Sequence, residues 1–394
     1  MSRVMATTRL YYDDAVLADF SATVTATTDG GRVVYLDRSA FYPTSGGQPH
    51  DLGTLADVAI VDVVDEEERV AHHLAEPLDL AAGSMVVGQV DMARRVDHMQ
   101  QHTGQHLLSA LLADEYGCPT VSVHFGADYS TVDVAGTALT PDQLSAIEVR
   151  ANTLALGNHA VTVSYEEAAT ATGLRKASDR AGLLRIVTIE GLDRSACGGT
   201  HVGRTGEIGA ILLRRLERTR GNTRIEFLCG YRAVQRARLD AELLARAARP
   251  LSAAPSDLPE LVEQQSVRLT ELERDRKRWQ QELARYEAQA LWQSAAVDRT
   301  GIRRVRVTAV GPVKESEPLA QQLIALGPCT VLVTHLDSGG ALLATSADSG
   351  LEAGPLLRTA LQAVGGRGGG SPRVAQGAVS DPTSLEALAH ALGF

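Results

Sequence analysis

The spacing of hydrophobic positions changes from one part of the chain to the next. Residues 1 to about 90 alternate short β-branched runs with turn residues. "ATVTATTDGGRVVYLD" reads as strand, Gly-Gly turn and strand, and "VVGQVDM" as a further strand. Around 97–115 the spacing becomes helical and stops at Gly117–Pro119. "PDQLSAIEVRANTLALG" predicts a second helix, with Pro141 at its start and Gly157 at its end, and "HAVTVSYE" and "LLRIVTIE" return to strand. Residues 233–298 turn strongly helical. Gln265, Leu269, Leu272, Arg276, Trp279, Leu283, Tyr286 and Ala290 recur at alternating steps of four and three, with Glu271, Arg274 and Glu282 off that seam. Gln265 and Arg276 interrupt the seam and "PLSAAPSDLP" breaks the region, so a helical hairpin or spacer is predicted rather than a long zipper.

Beyond about 301, "RRVRVTAVG", "CTVLVTHLDSGG" and "GALLATS" read as strands, followed by the helix "GPLLRTALQAVG", a glycine-rich loop "GGRGGGSPRVAQG" and a last helix, "SLEALAHALG". The loop lacks the Lys-Ser/Thr of a nucleotide P-loop, which argues against an NTP site. Its glycines around Arg367 would let backbone approach a phosphate or another backbone closely. At 394 residues the chain exceeds one ordinary core. The fold class expected is therefore α+β and multidomain: β-rich 1–90, mixed 91–232, a helical spacer 233–300 and α/β 301–394.

The polar positions of the first helix carry the chemistry. "DHMQQHTGQHLLSALL" sets His98, His102 and His106 four residues apart, which stacks three imidazoles on one helix face. Only one of the four cysteines, Cys118, Cys197, Cys229 and Cys329, has a histidine at ligand spacing: "SACGGTHV" holds Cys197 and His201. Glycines between a thiolate and an imidazole allow a tight turn that aims both at one point. Imidazole with thiolate suits zinc, and two donors from a helix plus two from a turn make a tetrahedral site. Each half alone is a weak signal; together they point to a shared metal, with the choice among the three helical histidines open.

Charge and cysteine usage narrow the setting. Four scattered cysteines form no disulfide framework, no apolar run reaches transmembrane length and the start lacks an apolar signal core, so a cytoplasmic, membrane-free protein is expected. A net charge of −10 argues against a chain that is basic all over, but not against a local basic face. Arg214, Arg215, Arg218, Arg220 and Arg224 form such a cluster, read equally well as a solvated hairpin or as a phosphate contact.

Four motifs, in order over nearly the whole chain, carry a resemblance. "QHTGQHLLSALL" with "DRSACGGTHVGRTGEIG" resembles the zinc editing domain shared by alanyl-tRNA synthetase and its stand-alone relatives, the AlaX trans-editing proteins. "FYPTSGGQPHDLGTL" resembles the Gly-Gly-Gln segment of their N-terminal β-barrel domain, "RIEFLCGYRA" the close of the editing domain, and "AVGGRGGGSPRVAQGAV" the C-terminal DHHA1 signature. The long form, AlaX-L, is the member it is most similar to. The resemblance implies zinc held by His102, His106, Cys197 and His201. His98 is left as a neighbour of the site, a tRNA contact or a plain surface residue, and Asp193 as a residue that orients a ligand imidazole or forms a turn.

The family reaction is hydrolysis of the ester joining a wrong amino acid to the terminal ribose of its tRNA. Removing serine from tRNA for alanine while sparing alanine requires polar groups that wait for the extra hydroxyl, because a merely apolar pocket cannot tell the two apart. Thr44, Gln48, Gln105 and Ser122, with Gly46 and Gly47 of the turn, are the candidates for that lining. The resemblance implies Ser-tRNA(Ala) as the substrate, with Gly-tRNA(Ala) beside it. Thr44 stands where many relatives have an acidic residue, and the alternative is the same chemistry on threonine or its fluorinated analogue. tRNA is the expected partner, gripped by the arginines at 214–224 and by the C-terminal domain with Arg367, and two chains are expected to pair through that domain. A non-catalytic tRNA-binding module with structural zinc is the reading from another class. A full synthetase and a DHH phosphoesterase are not expected: no ATP site precedes the editing motifs, and "VDHMQ" has only one of the two histidines of Asp-His-His.

Overall fold

In the computed structural model, which describes residues 6–136, 138–176 and 181–394, Asp91 starts the helix that carries the histidines. Its carboxylate accepts the backbone N–H groups of Ala93 and Arg94, so helix α1 (Met92–Tyr116) begins about a turn earlier than the apolar spacing indicates. The side chain of a cap, rather than periodicity, sets that boundary. The chain divides into two compact units, Met1–Ala247 and Ala248–Phe394. That boundary falls inside the stretch read from sequence as a spacer. The first five residues of the expected β-rich domain lie outside the described residues.

The first unit opens with β1 (Thr8–Arg9), β2 (Asp19–Thr28), β3 (Val33–Leu36), β4 (Arg38–Ser39), β5 (Gly53–Leu55), β6 (Val58–Glu66), β7 (Arg69–Leu74) and β8 (Met85–Val90). Strands β2-β3-β7-β6-β5-β8 close on one another in that order, around Phe20, Val34, Leu36, Phe41, Leu55 and Val63. After α1 come β9 (Thr120–Phe125), β10 (Ser130–Val134), α2 (Pro141–Leu156), β11 (Val161–Glu167), β12 (Leu183–Ile189), β13 (Asp193–Ala196), β14 (Ile211–Thr219), β15 (Asn222–Cys229) and α3 (Gly230–Ala248). A four-stranded sheet, β14-β15-β10-β9, packs its apolar face, with Phe125, Val132, Ile225 and Phe227, against Leu107, Leu108 and Leu111 of α1 and Ile147 of α2. β11-β12-β13 form a separate three-stranded sheet that delivers the Cys-Gly-Gly-Thr-His turn.

A buried ion pair joins the closed sheet to α1. Arg95 and Asp51 are both without exposure, Arg95 Nε lies 3.0 Å from Asp51 Oδ1, and the same guanidinium donates to the carbonyls of Ala15 and Ala40 at 2.6 Å each. Asp51 also accepts the Tyr42 N–H at 2.6 Å. Charges so buried persist only when every donor and acceptor is met, as here. The pair fixes the 40–51 segment, which holds the Gly-Gly-Gln turn, against the histidine helix.

The second unit has a long helix, α4 (Leu258–Ser294), followed by β16 (Arg303–Ala309), α5 (Glu317–Ala325), β17 (Cys329–His335), β18 (Gly340–Thr345), α6 (Ala353–Ala363), β19 (Arg367–Gly370), β20 (Val374–Ala378) and α7 (Ser384–Ala391). The sheet order is β16-β17-β18-β20-β19, with only β16 and β17 parallel. One expectation is corrected here. The glycine-rich stretch is not a loop but a β-hairpin, β19–β20. A side chain at Gly368 would strike Leu361 of α6 and the backbone of β20, and one at Gly370 would strike Ala375, so bare backbone lets the edge strand lie against the helix. The glycines serve a backbone-to-backbone approach, one of the two uses their spacing suggests.

Candidate metal centre

Four side chains converge. The ligand-capable atoms of His102, His106, Cys197 and His201 all lie within 4.8 Å of one another. Residues 102 and 106 are one helical turn apart on α1, while Cys197 and His201 bracket a turn after β13. That turn needs glycine: a Cβ at Gly199 would run into the His102 ring. Cys197 Sγ stands 3.5 Å from His102 Nε2 and 3.3 Å from His201 Nε2.

Each imidazole is held from behind at Nδ1, by a different group. His102 Nδ1 lies 2.8 Å from Gln48 Oε1, His106 Nδ1 2.8 Å from Asp193 Oδ2 and His201 Nδ1 3.2 Å from Thr103 Oγ1. This leaves all three Nε2 atoms for a common ligand, the arrangement that metal-binding histidines need. Asp193 is itself fixed by Arg175 Nε at 2.6 Å and Ser195 Oγ at 2.9 Å. Gln48 also donates through Nε2 to Thr200 Oγ1 at 2.8 Å, tying the 44–48 turn to the residue next to His201. Arg185 holds the cysteine turn by donating to the carbonyls of Cys197 and Gly199 at 2.8 and 3.0 Å.

The electrostatics match the donor set. Burial opposes charge on Cys197, but His102 and His201 outweigh it and bring its thiol well below the usual range. Burial likewise opposes charge on His106, yet the bonds to Asp193 and Cys197 raise it to about 10. Burial, then His102, lowers His201 to about 3. A thiolate and three imidazoles, oriented and buried, fit a borderline-soft divalent cation that displaces the protons they share. This His/Cys group can bind a metal ion.

The other expected site residues are distributed unevenly. Gly46 and Gly47 form the exposed tip of the 45–48 turn, beside Phe125, whose ring lies 5.1 Å from the His102 ring. Thr44 is exposed and its Oγ1 is shared with His50, at 3.1 Å to both the backbone N and Nδ1. Gln105 donates to Ser109 Oγ at 2.7 Å. Ser122 donates to Asp133 at 2.9 Å, and strand alternation puts it on the face of the sheet opposite Phe125, away from the cluster. His98 is buried one turn before His102 and bonds none of the four ligands. Burial, with Arg94 next, lowers it to about 4.

The arginine cluster is largely neutralised. Arg224 chelates Asp133 at 2.7 and 2.8 Å, Arg214 pairs with Glu226 at 2.7 Å and Arg215 with Glu217 at 3.0 Å. Arg218 donates to Thr223, Arg220 sits in the β14–β15 turn, and Arg367 is exposed on β19. Sequence reading missed Thr103, Arg175 and Arg185. A lone arginine in a strand or loop carries no signal of its own, and Thr103 is marked only by standing beside His102.

Comparison with known proteins bears on what this cluster belongs to. Residues 184–226 match the model of the threonyl and alanyl tRNA synthetase second additional domain. Alanine–tRNA ligase of Pyrococcus abyssi is 29% identical over 95% of this chain, and that of Methanoculleus marisnigri 33% identical over 96%. The chain is related to alanyl-tRNA synthetase. The resemblance carried by the sequence motifs thus holds along almost the whole chain, although the chain spans only 42% of the length of each of those two ligases. The C-Ala domain of Aquifex aeolicus alanyl-tRNA synthetase aligns with 24% of this chain and 91% of its own at 20% identity, with a TM-score of 0.19. The matched additional domain runs from β12 through the Cys-x3-His turn to β15, so it contains two of the four converging donors.

Proposed function

We propose that this protein is a zinc-dependent aminoacyl-tRNA deacylase that hydrolyses the ester of mischarged tRNA, Ser-tRNA(Ala) foremost and Gly-tRNA(Ala) second. The observation that carries the reading is the convergence of three back-held imidazoles on the Cys197 thiolate, within a chain related to alanyl-tRNA synthetase. His102, His106, Cys197 and His201 would hold zinc, which supplies a Lewis acid that can polarise a carbonyl and acidify water.

The protein's own groups do the positioning. Gln48, Asp193 and Thr103 lock the rings, and Arg185 locks the cysteine turn. The Gly46–Gly47 tip and Phe125 border the His102 side of the cluster, where a small aminoacyl group would lie. Serine is chosen over alanine by polar groups that alanine would leave unpaired. Gln48 orients a ligand in this reading instead of lining the pocket, and Ser122 belongs to the sheet's outer face. The C-terminal unit, with its DHHA1-like hairpin and Arg367, serves as the tRNA-binding and pairing domain.

A panel of Ser-, Gly-, Thr- and Ala-tRNA, assayed beside metal analysis of the protein, tests this. Ser-tRNA(Ala) should be cleaved and Ala-tRNA(Ala) spared. Cleavage confined to threonine-type esters would move the protein to another hydroxy amino acid. Four protein donors also suit a closed structural site, the specific observation that favours a non-catalytic tRNA-binding module. His106→Ala separates the two: it should abolish turnover in a deacylase, while full turnover in metal-free protein sinks the reading.

A further inference from the structure

The histidine stripe of α1 does not stop at the metal cluster. Continuing it by four-residue steps toward the N-terminus from His106 and His102 gives His98 and then Arg94. A four-residue step rises about 6 Å along the helix axis, so His98 lies about 6 Å and Arg94 about 12 Å back from His102. Neither of these two is used by the metal site.

Both are incompletely satisfied. His98 is 6% exposed, and its Nδ1 is buried with no hydrogen-bond partner among the described residues. Orphaned N–H groups are rarer in interiors than orphaned acceptors, so the ring hydrogen belongs on Nε2. No bond engages that nitrogen among the described residues, and it is not one of the buried unpartnered atoms, so it reaches the surface as a donor. Arg94 uses Nε to donate to the His50 carbonyl at 3.0 Å and has no carboxylate partner among the described residues, whereas Arg214, Arg215, Arg224 and Arg232 are all paired. The Arg94–His50 bond also sets this guanidinium beside the Thr44–His50 turn that borders the cluster. A cation left free and a donor left over, one and two turns back along α1 from the metal ligands, describe an anion seat.

We infer that Arg94 and His98 bind the phosphate on the 5′ side of the terminal nucleoside of the RNA, Arg94 as ion pair and His98 as hydrogen-bond donor. This rests on the deacylase reading and fixes the direction in which the RNA end leaves the site: toward the N-terminus of α1. The ester sits on the same ribose as that phosphate, so a group held one to two helical turns from the metal ligands spans the distance between them.

The test compares wild type and Arg94→Gln on two substrates, Ser-tRNA(Ala) and 3′-O-seryl-adenosine, which lacks the phosphate. Binding of adenosine 5′-monophosphate against adenosine is measured in parallel by calorimetry on the metal-loaded protein. Loss of a charge-assisted bond should raise KM for the tRNA about tenfold with kcat within about twofold. Seryl-adenosine turnover should be unchanged, and the preference for the monophosphate should disappear. His98→Asn, which keeps a donor, should fall between wild type and Arg94→Gln. Equal damage on both substrates, an unmoved tRNA KM, or monophosphate binding no tighter than adenosine in wild type would overturn the inference. If wild type cleaves no ester while the monophosphate preference still depends on Arg94, the deacylase reading fails and the anion seat stands. If it cleaves the ester without that preference, the seat alone fails.

Discussion

Gln48, Asp193 and Thr103 hold three equivalent rings with an amide, a carboxylate and a hydroxyl, and the difference has consequences. Only Asp193 brings charge, and it is held by Arg175 and Ser195 while it grips His106. Burial raises the Asp193 carboxyl, but His106 and Arg175 outweigh it, so the group is an anion in the folded protein. Asp193→Asn keeps a hydrogen-bond acceptor and removes that charge; metal affinity should fall about 10- to 100-fold, measured by competition with a chelator. Gln48→Ala should cost less, because it removes no charge and Thr103 still holds the opposite turn through the Val202 N–H and His201. Wild-type affinity in the Asp193→Asn variant would show the carboxylate to be a structural anchor only. At this scale the ligand types and one partner, Asp193, were legible in the sequence, whereas Gln48 and Thr103 were not read as partners. The spacing of "QHTGQH" and "CGGTH" announces donors, whereas the pairing of Gln48 with His102 spans 54 positions and depends on tertiary packing.

At the scale of elements, strand parity explains why one candidate left the site. Phe125 faces the core from β9, and Ser122, three residues earlier, must face the other way, where Asp133 takes its hydroxyl. Helix and strand periodicity were readable along much of the chain. The glycine-rich hairpin was not, because a strand without side chains shows no alternation at all. The closed sheet also carries a titratable liability. His72 of β7 is fully buried between Ser39 Oγ at 2.7 Å and the Val34 carbonyl at 3.0 Å, and burial lowers it to about 4. An unfolded histidine titrates near 6.5, so between pH 6.5 and 4 the unfolded chain binds the extra proton. Stability is therefore full above pH 6.5 and falls as the pH drops through that window, by about 3 kcal/mol at most from this group. Denaturant midpoints recorded from pH 7 to 4 should show the fall, and His72→Gln should make it shallower, with buried His98 contributing to what remains; an unchanged slope would remove His72 as a cause.

At the scale of the whole molecule, charge is dispersed rather than concentrated. The chain carries −10 overall, and three of the five clustered arginines at 214–224 are tied to Asp133, Glu217 or Glu226. Counterion release scales with the phosphates actually neutralised. If binding rests on Arg94 and a few other free cations, a plot of log affinity for tRNA against log salt should have a slope of about −2. Fluorescence anisotropy between 50 and 200 mM salt, roughly the range over which strong phosphate binders lose most affinity, measures it. A slope of about −5 or steeper would mean that the paired arginines let go of their acids to meet RNA. No helix among the described residues is long and apolar enough to cross a membrane.

The contact between Gln48 and His102 has one more implication. A side chain from a turn between β4 and β5 bonds both a ring on α1 and, through Thr200, the loop after β13. Three segments that fold as separate pieces of sheet and helix therefore meet in a single amide. Whatever occupies the cluster is felt by all three at once, so the N-terminal sheet and the sheets around α1 gain a common thermodynamic fate: the ion's departure would loosen a joint between layers as well as empty a site.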